Sequence, residues 1–478
     1  MLMHFIRTNL VLCLAAGLAA AAAPARKPNV VLILADDLGF GDLGCYGQTM
    51  FKTPNIDRLA REGMRFTQFY AGSTVGAASR AALFTGRHSG HANIRGNREH
   101  GDQPLSAGDY TLSQMFRSAG YRVDGIGQWG LGGGGTSGEP KAKGFNQWIG
   151  FLEQVDAHDY YPELIWRYDS VSDWNGLRQN PGRQYIQDLF NSAMGRSVEI
   201  NSDFQFFLYL PFTLLHANPR LKERGMEVPH DAPYTAEKWP QPEKNKAAMI
   251  ARLDQSVGQL LARLEQHKLQ RDTIVIFTSD NGPHNQGGVD PKFFKSSGPF
   301  RGLKGDLYEG GIRVPMIVWW PGRVDAGKVS EQVGAMWDVL PTLNEAIGQP
   351  ALEGVDGLSM LPTWFGEKQT NQHDNLYWET HEPGFHQAIR LGDWKALRLK
   401  PAEGLELYDL KTDPGETKDV AAQHPEIVAR IEEIMRASRT ESNEWPSVQP
   451  LQPMTGVAVE KRREPVAVPP PKSPPRGN

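Results

Sequence analysis

Residues 71–90 read AGSTVGAASRAALFTGRHSG, a run of small residues that closes one predicted element and opens the next. The apolar stretch Met64–Tyr70 before it predicts a strand, and the turn that follows opens onto a short helix beginning near Ser79. Free backbone N–H groups at such a helix start converge on one point and favour an anion there. Arg80, in the first turn, adds a planar, permanently charged fork suited to the oxygens of sulfate or phosphate. Further basic residues follow at Arg87, His88, His91, Arg95 and Arg98, and they fit either an extended anion site or a solvated basic face.

Upstream, Asn29–Ala35 (NVVLILA) is an uninterrupted apolar run, the pattern of a strand buried on both faces. It ends in Asp36 and Asp37, at the strand rim where open α/β sheets bind ligands. Adjacent carboxylates repel unless a cation holds them, and hard oxygen ligands suit calcium or magnesium; a turn or helix cap is the alternative. Thr53 and Pro54 read as the cap and first-turn proline of a helix over Asn55–Glu62.

Downstream, a helix is expected over Tyr110–Gly120 and a strand over Tyr121–Gly127, leading into Gln128-Trp129-Gly130-Leu131-Gly132. Residues 136–183 lack sustained periodicity and predict an insertion on the active-site face. Within it His158 either contacts a ligand or is hydrogen-bonded inside its own loop. A helix over Asp188–Glu199 and a buried strand over Phe204–Leu210 come next, with His216 just past the strand end. A long amphipathic helix, Lys244–His267, precedes the strand Thr273–Thr278, which ends in Ser279-Asp280-Asn281-Gly282. Two acidic strand ends in one chain point to one shared cation. Lys304, in a glycine-rich loop before the strand Val314–Trp320, is placed near the same rim or stands as an exposed loop lysine.

Helices over Trp337–Ile347 and Leu358–Phe365 are expected to close the first domain. Short alternating strands at 374–379, 387–391, 394–399 and 405–409, then a helix over Pro425–Ser438, read as a small antiparallel α+β unit. The expected division is a signal peptide at 1–25, a catalytic domain at 26–370, a C-terminal subdomain at 371–460 and a Pro-rich disordered tail at 461–478.

The 478 residues, with 40% hydrophobic and 22% charged content, describe an ordinary globular enzyme with a large core. A net charge of −4 gives no reason to expect nucleic acid. Residues 1–25 combine Arg7, the apolar run Leu10–Ala22 and an Ala-Pro-Ala cleavage site, a secretory signal too short to remain as a membrane anchor. Cleavage leaves Cys45 alone, so no internal disulfide forms. A bacterial periplasmic or secreted protein is expected.

Gly76-Ala77-Ala78-Ser79-Arg80 with Thr85-Gly86-Arg87 resembles the sulfatase signature C/S-x-P/A-S-R and its TGR segment. Together with the acidic strand ends, the W-x-L-G segment and Leu405–Val420, the chain is similar from about 28 to 440 to the type I sulfatases of the alkaline-phosphatase-like superfamily. The resemblance implies an α/β sandwich, with a central mixed sheet between helix layers and a small C-terminal antiparallel sheet with one helix. It also implies one Ca2+ (Mg2+ less favoured) on Asp36, Asp37, Asp280 and Asn281, and sulfate contacts from Arg80, His216 and Lys304.

Two slots depart from the pattern. The Cys or Ser that the family oxidises to formylglycine is Gly76, which has no β-carbon to oxidise, and the family's sulfate-binding lysine is Gln128. With calcium, Arg80 and Lys304 set against three aspartates, the site keeps a net charge of +1, where a lysine at 128 would make it +2. Binding of a sulfate ester should therefore survive better than turnover. The expected function is a sulfuric ester hydrolase type acting on aryl or carbohydrate sulfates, with low or lost turnover. The alternatives are a non-catalytic binder of sulfated glycans, and a phosphoesterase using Thr74 or metal-bound water. The expected partner is a sulfated small molecule or polysaccharide, with no stable membrane anchor after signal cleavage.

Overall fold

In the computed structural model, which describes residues 27–98, 102–169, 176–400 and 403–447, strand β1 (Asn29–Ala35) runs through the middle of the molecule. All seven of its residues are buried. Val31, Ile33 and Ala35 face one core, and Val30, Leu32 and Leu34 the other. This two-residue alternation, apolar on both sides, requires a helix layer on each face.

Helix α1 (Pro54–Glu62) follows, with Pro54 in its first turn. Thr53 does not cap it; Asp254 does, accepting from Asn55 N and Ile56 N at 2.9 and 2.8 Å. The run Met64–Tyr70 is two strands rather than one, β2 (Met64–Phe66) and β3 (Phe69–Tyr70), which join different sheets. Helix α2 (Gly76–Thr85) starts three residues earlier than expected, with Gly76 as its first residue. Thr111 caps α3 (Leu112–Ser118) in a reciprocal pair with Gln114, and β4 (Arg122–Gln128) comes next.

The segment 136–183 corrects the expectation of an irregular insertion. It holds β5 (Gln147–Phe151), the single-turn helix α4 (Gln154–Ala157), β6 (Leu164–Asp169) and β7 (Gly176–Gln179), and all three strands extend the main sheet. They are short and joined by loops, so no window carries a long enough period to reveal them.

Then come α5 (Ile186–Asn201), β8 (Phe206–Pro211), α6 (Gln241–Gln266), β9 (Thr273–Ser279), α7 (Glu309–Ile312) and β10 (Met316–Trp319). Strands β11 (Lys328–Ser330) and β12 (Gly334–Ala335) lead to α8 (Val339–Ala346) and α9 (Leu361–Trp364). The last helix is one turn long, shorter than Leu358–Phe365, because Pro362 suits only a first turn.

Among the described residues the main sheet has ten strands in the order β11-β2-β10-β9-β1-β8-β4-β5-β6-β7. Its centre, β9-β1-β8-β4-β5, is parallel; β10 and β6, at its two flanks, run opposite to it, and β7, antiparallel to β6, runs with the centre. Helices α1, α5 and α6 cover one face; α2, α3, α8 and α9 cover the other. The central parallel strands therefore end on one edge, and loops after β1, β4, β8 and β9 meet there.

A second sheet, β13 (Leu376–Thr380), β14 (His386–Leu391), β15 (Trp394–Arg398) and β16 (Glu406–Asp409), is antiparallel throughout. Helix α10 (Pro425–Ala437) packs on one face through Ile431 and Met435. The other face lies against the main body, where Trp378 contacts the Tyr70 and Trp337 rings. Lys395, wholly buried in this interface, bridges Glu309 at 3.0 Å and Glu416 at 3.3 Å. Removing one partner of such a buried set costs about 3–5 kcal/mol.

Candidate active site

Asp36 and Asp37 leave the end of β1, and Asp280 and Asn281 the end of β9, so pairing of these two strands sets the four side by side. Backbone bonds hold the arrangement: Asp36 N donates to Leu214 O (2.9 Å) and Leu215 N to Asp36 O (2.7 Å). Asp37 takes a left-handed φ of 59°, a strained conformation for a non-glycine residue. Its N–H donates to Asp280 Oδ1 at 3.2 Å, and Asn281 Nδ2 donates to its Oδ1 at 2.7 Å. All three carboxylates are buried, with side-chain exposures of 0–3%.

Two cations answer them. Arg80, itself 2% exposed, donates through Nη2 to Asp36 Oδ2 (3.1 Å) and Asp280 Oδ2 (2.8 Å). Lys304 Nζ lies 2.8 Å from Asp37 Oδ1 and 3.0 Å from Asp37 Oδ2. Gln128 fills the gap between the two sets: with its amide oriented by these neighbours, it donates to Asp36 Oδ2 (2.8 Å) and accepts from Arg80 Nη1 (3.1 Å). His216 donates from Nδ1 to Ala217 O at 2.7 Å, which leaves Nε2 facing Asp37 Oδ2 at 3.8 Å. Gly76 lies against the same group, and a β-carbon there would stand 3.0 Å from Asp280 Oδ2 and 3.2 Å from both terminal nitrogens of Arg80. Gly76, Gln128 and the metal and sulfate-contact residues that the resemblance implies thus meet at one place.

Burial pushes Asp36 and Asp280 above the usual carboxylate range, reinforced by their acidic neighbours and opposed by Arg80 and Lys304. Burial would raise Asp37 as well, but Lys304, His216 and His284 together pull it below its ordinary value. Burial and the adjacent ammonium hold His216 well below the ordinary histidine value, hence neutral. Two fixed cations thus leave three buried carboxylates short of positive charge.

The donor set fits a divalent cation. Ligand atoms of Asp36, Asp37 and His216 lie within 4.8 Å of one another. Asn281 Oδ1 is buried beside them with no partner among the described residues. Such oxygen donors suit a hard ion.

The helix entrance departs from expectation. Ala77 N donates to Asn97 Oδ1 (3.2 Å), so one of the free N–H groups is capped by the chain itself. Arg80 turns its terminal nitrogens to the carboxylates and Gln128. Thr74, an alternative nucleophile, is wholly buried, and its Oγ1 donates to Thr380 Oγ1 at 3.2 Å. The basic run after α2 is structural: Arg87 bonds Gly354 O, His91 bonds Asp356, Arg95 bonds Glu379, and Arg98 pairs with Glu444. Asp356, facing both His88 and His91, forms a second group with metal-ligand spacing. There Gly90 N donates to His88 Nδ1 (3.2 Å), which leaves that ring's proton on Nε2, toward Asp356.

Sequence reasoning missed the wall beside the cluster. Gln154 Nε2 donates to Asn97 Oδ1 (2.9 Å) and Gln154 N to Asp102 Oδ2 (2.9 Å). His158, at the other end of α4, lies flat against His216. Tyr160 holds its hydroxyl 2.7 Å from both Thr213 O and His216 O. Only His158 had a signal in the sequence; single polar residues in loops carry none.

A family model described as "Sulfatase" matches residues 28–349, and one described as "N-sulphoglucosamine sulphohydrolase, C-terminal" matches 304–441. The N-acetylgalactosamine-6-sulfatase of Canis lupus familiaris is 32% identical over 415 residues, covering 80% of this chain and 73% of that protein. The N-acetylgalactosamine-6-O-sulfatase of Bacteroides thetaiotaomicron is 29% identical, covering 87% and 94%. The crystal structure of Ps i-CgsB superposes with a TM-score of 0.75 at 26% identity, covering 88% of this chain and 95% of that one.

Proposed function

The chain belongs to the sulfatase family, and from that premise we propose that it binds a sulfated carbohydrate or aryl ester with the help of a calcium ion and turns it over slowly or not at all. The observation that carries this reading is the direct contact of a buried acidic cluster with a residue, Gly76, that has no side chain. Asp36, Asp37, Asp280 and Asn281 would hold the ion, which would supply fixed positive charge beside the ester oxygens. The names of the relatives favour a carbohydrate sulfate.

The other roles follow from the residues themselves. Lys304, the more exposed of the two cations at 17%, meets the anion, and neutral His216 presents Nε2 to the same space. Arg80 keeps Asp36 and Asp280 compensated. Gly76 offers no nucleophile, a loss on the order of 10⁶ in rate where a nucleophile is removed from an intact site. Gln128, a neutral amide in place of a lysine, gives weaker support to charge developing on the leaving oxygen. The binder reading and the silent-enzyme reading thus share one site, and no contact of Thr74 favours phosphoester chemistry.

The N-terminal signal peptide, the domain limits at about 370 and 460, and a periplasmic or secreted location belong to this proposal. The signal and the tail lie outside the described residues. Among the described residues, no helix is long and apolar enough to cross a membrane.

The test is a sulfate-release assay on 4-nitrophenyl sulfate and N-acetylgalactosamine 6-sulfate, with mass spectrometry of the peptide spanning residue 76. The Gly76 chain should bind the ester with calcium and release almost no sulfate. Gly76→Cys with Gln128→Lys, co-expressed with formylglycine-generating machinery, should release it readily. Rapid metal-dependent release from the unmodified Gly76 chain would overturn the reading.

A further inference from the structure

Resting on the sulfate-ester reading of this cluster, we infer that His158 is a substrate-contact residue, its ring nitrogens meeting the alcohol portion of the bound ester. The ring lies face to face with His216, centroids 4.2 Å apart and planes 4° from parallel. His158 makes no side-chain hydrogen bond among the described residues, so the loop-internal role open to it in the sequence is not the one it takes. A residue needed only to pack on His216 would do so better as phenylalanine, because a half-buried polar ring without a partner costs free energy.

Position supplies the second argument. Side-chain exposure is 0% at Asp37 and Asp280, 11% at His216 and 17% at Lys304, so the open side of the cluster lies at His216 and Lys304, and half-buried His158 stacks on the His216 ring. An anion held at Lys304 and His216 thus has the His158 ring as a neighbour for its esterified alcohol. A neutral imidazole carries one donor and one acceptor, the complement of a hydroxyl group. The loop is also held in place for this task. Gln154 anchors one end of α4 to Asn97 and Asp102, and Tyr160 ties the other end to the carbonyls of Thr213 and His216. The loops of His158 and His216 are thus tied by the Tyr160 hydroxyl as well as by ring stacking.

The test is isothermal titration calorimetry of the full chain in calcium-containing buffer, with inorganic sulfate and N-acetylgalactosamine 6-sulfate as probes. For His158→Phe, which keeps the stack and removes the nitrogens, ester affinity should fall about tenfold, a hydrogen bond or two, while inorganic sulfate affinity is unchanged. His158→Gln, which restores a donor and an acceptor, should recover part of the loss. An unchanged ratio of ester to sulfate affinity in His158→Phe would overturn the contact role and leave the sulfate-ester reading intact. If the unsubstituted chain binds neither probe, the reading itself falls and this inference with it. Circular dichroism of each variant distinguishes a lost contact from a lost fold.

Discussion

Arg80 donates through Nη2 to Asp280 Oδ2 at 2.8 Å, joining the first half of α2 to the end of β9 across 200 residues of chain. Both partners are buried, and the same nitrogen reaches Asp36. The pair locks the helix layer to the sheet edge and offsets charge that no solvent can screen. The anion-binding arginine expected from the sequence is thus first of all a counter-ion.

Replacing Arg80 with Met should therefore destabilise the fold, not only weaken ligand binding. Leaving Asp36 and Asp280 uncompensated is expected to cost about 3–5 kcal/mol in urea unfolding. A loss under about 1 kcal/mol would mean that the pair contributes little to the folded state.

Calcium should stabilise the chain by mass action on the native state. At a hundredfold excess over Kd the gain is about 2.7 kcal/mol, visible as a rise in Tm by scanning calorimetry and reversed by a chelator. Asp36→Asn should weaken calcium affinity in a direct titration; an unchanged affinity would contradict the metal assignment.

Acid sensitivity should trace to Glu379. Burial would raise this carboxyl, but His381, Arg439 and Arg95 outweigh it and hold it at about 2, below its ordinary 4.5. A lowered carboxylate contributes stability that is complete above 4.5 and is lost as pH falls toward 2, on the order of 3 kcal/mol. Chemical denaturation across that window should show the decline, and Glu379→Gln should flatten it from a lower starting value. An identical slope in the variant would assign the acid transition elsewhere.

Tyr160→Phe should loosen the loop that carries His216. Loss of the hydroxyl leaves the Thr213 and His216 carbonyls without it, an expected cost of about 1–3 kcal/mol. Amide hydrogen exchange in 212–217 should rise in the variant while the sheet stays protected. Uniform protection would show the loop to be held by other contacts.

Strands β1 and β9 were legible because each is a largely apolar run ending in adjacent oxygen-bearing side chains, Asp36-Asp37 and Asp280-Asn281, a signal carried by the residues themselves. The start of α2 was legible only in kind. A turn of small residues has several permitted beginnings, and packing of Gly76 against Asp280 selects one. Strands β5 to β7 were unreadable although each pairs with its neighbours in the chain, since each is too short to show a period alone.

The amino-acid order by itself determined the family, the layered α/β architecture and the absence of a side chain at residue 76, because these rest on local pattern and residue identity. Tertiary structure alone decided that Arg80 faces the carboxylates, that Gln128 bridges them, that the basic run after α2 is bound to carbonyl and carboxylate partners of its own, and that His158 lies on His216. Each of those depends on which distant strand end arrives beside which loop, and no local stretch of sequence encodes that arrival.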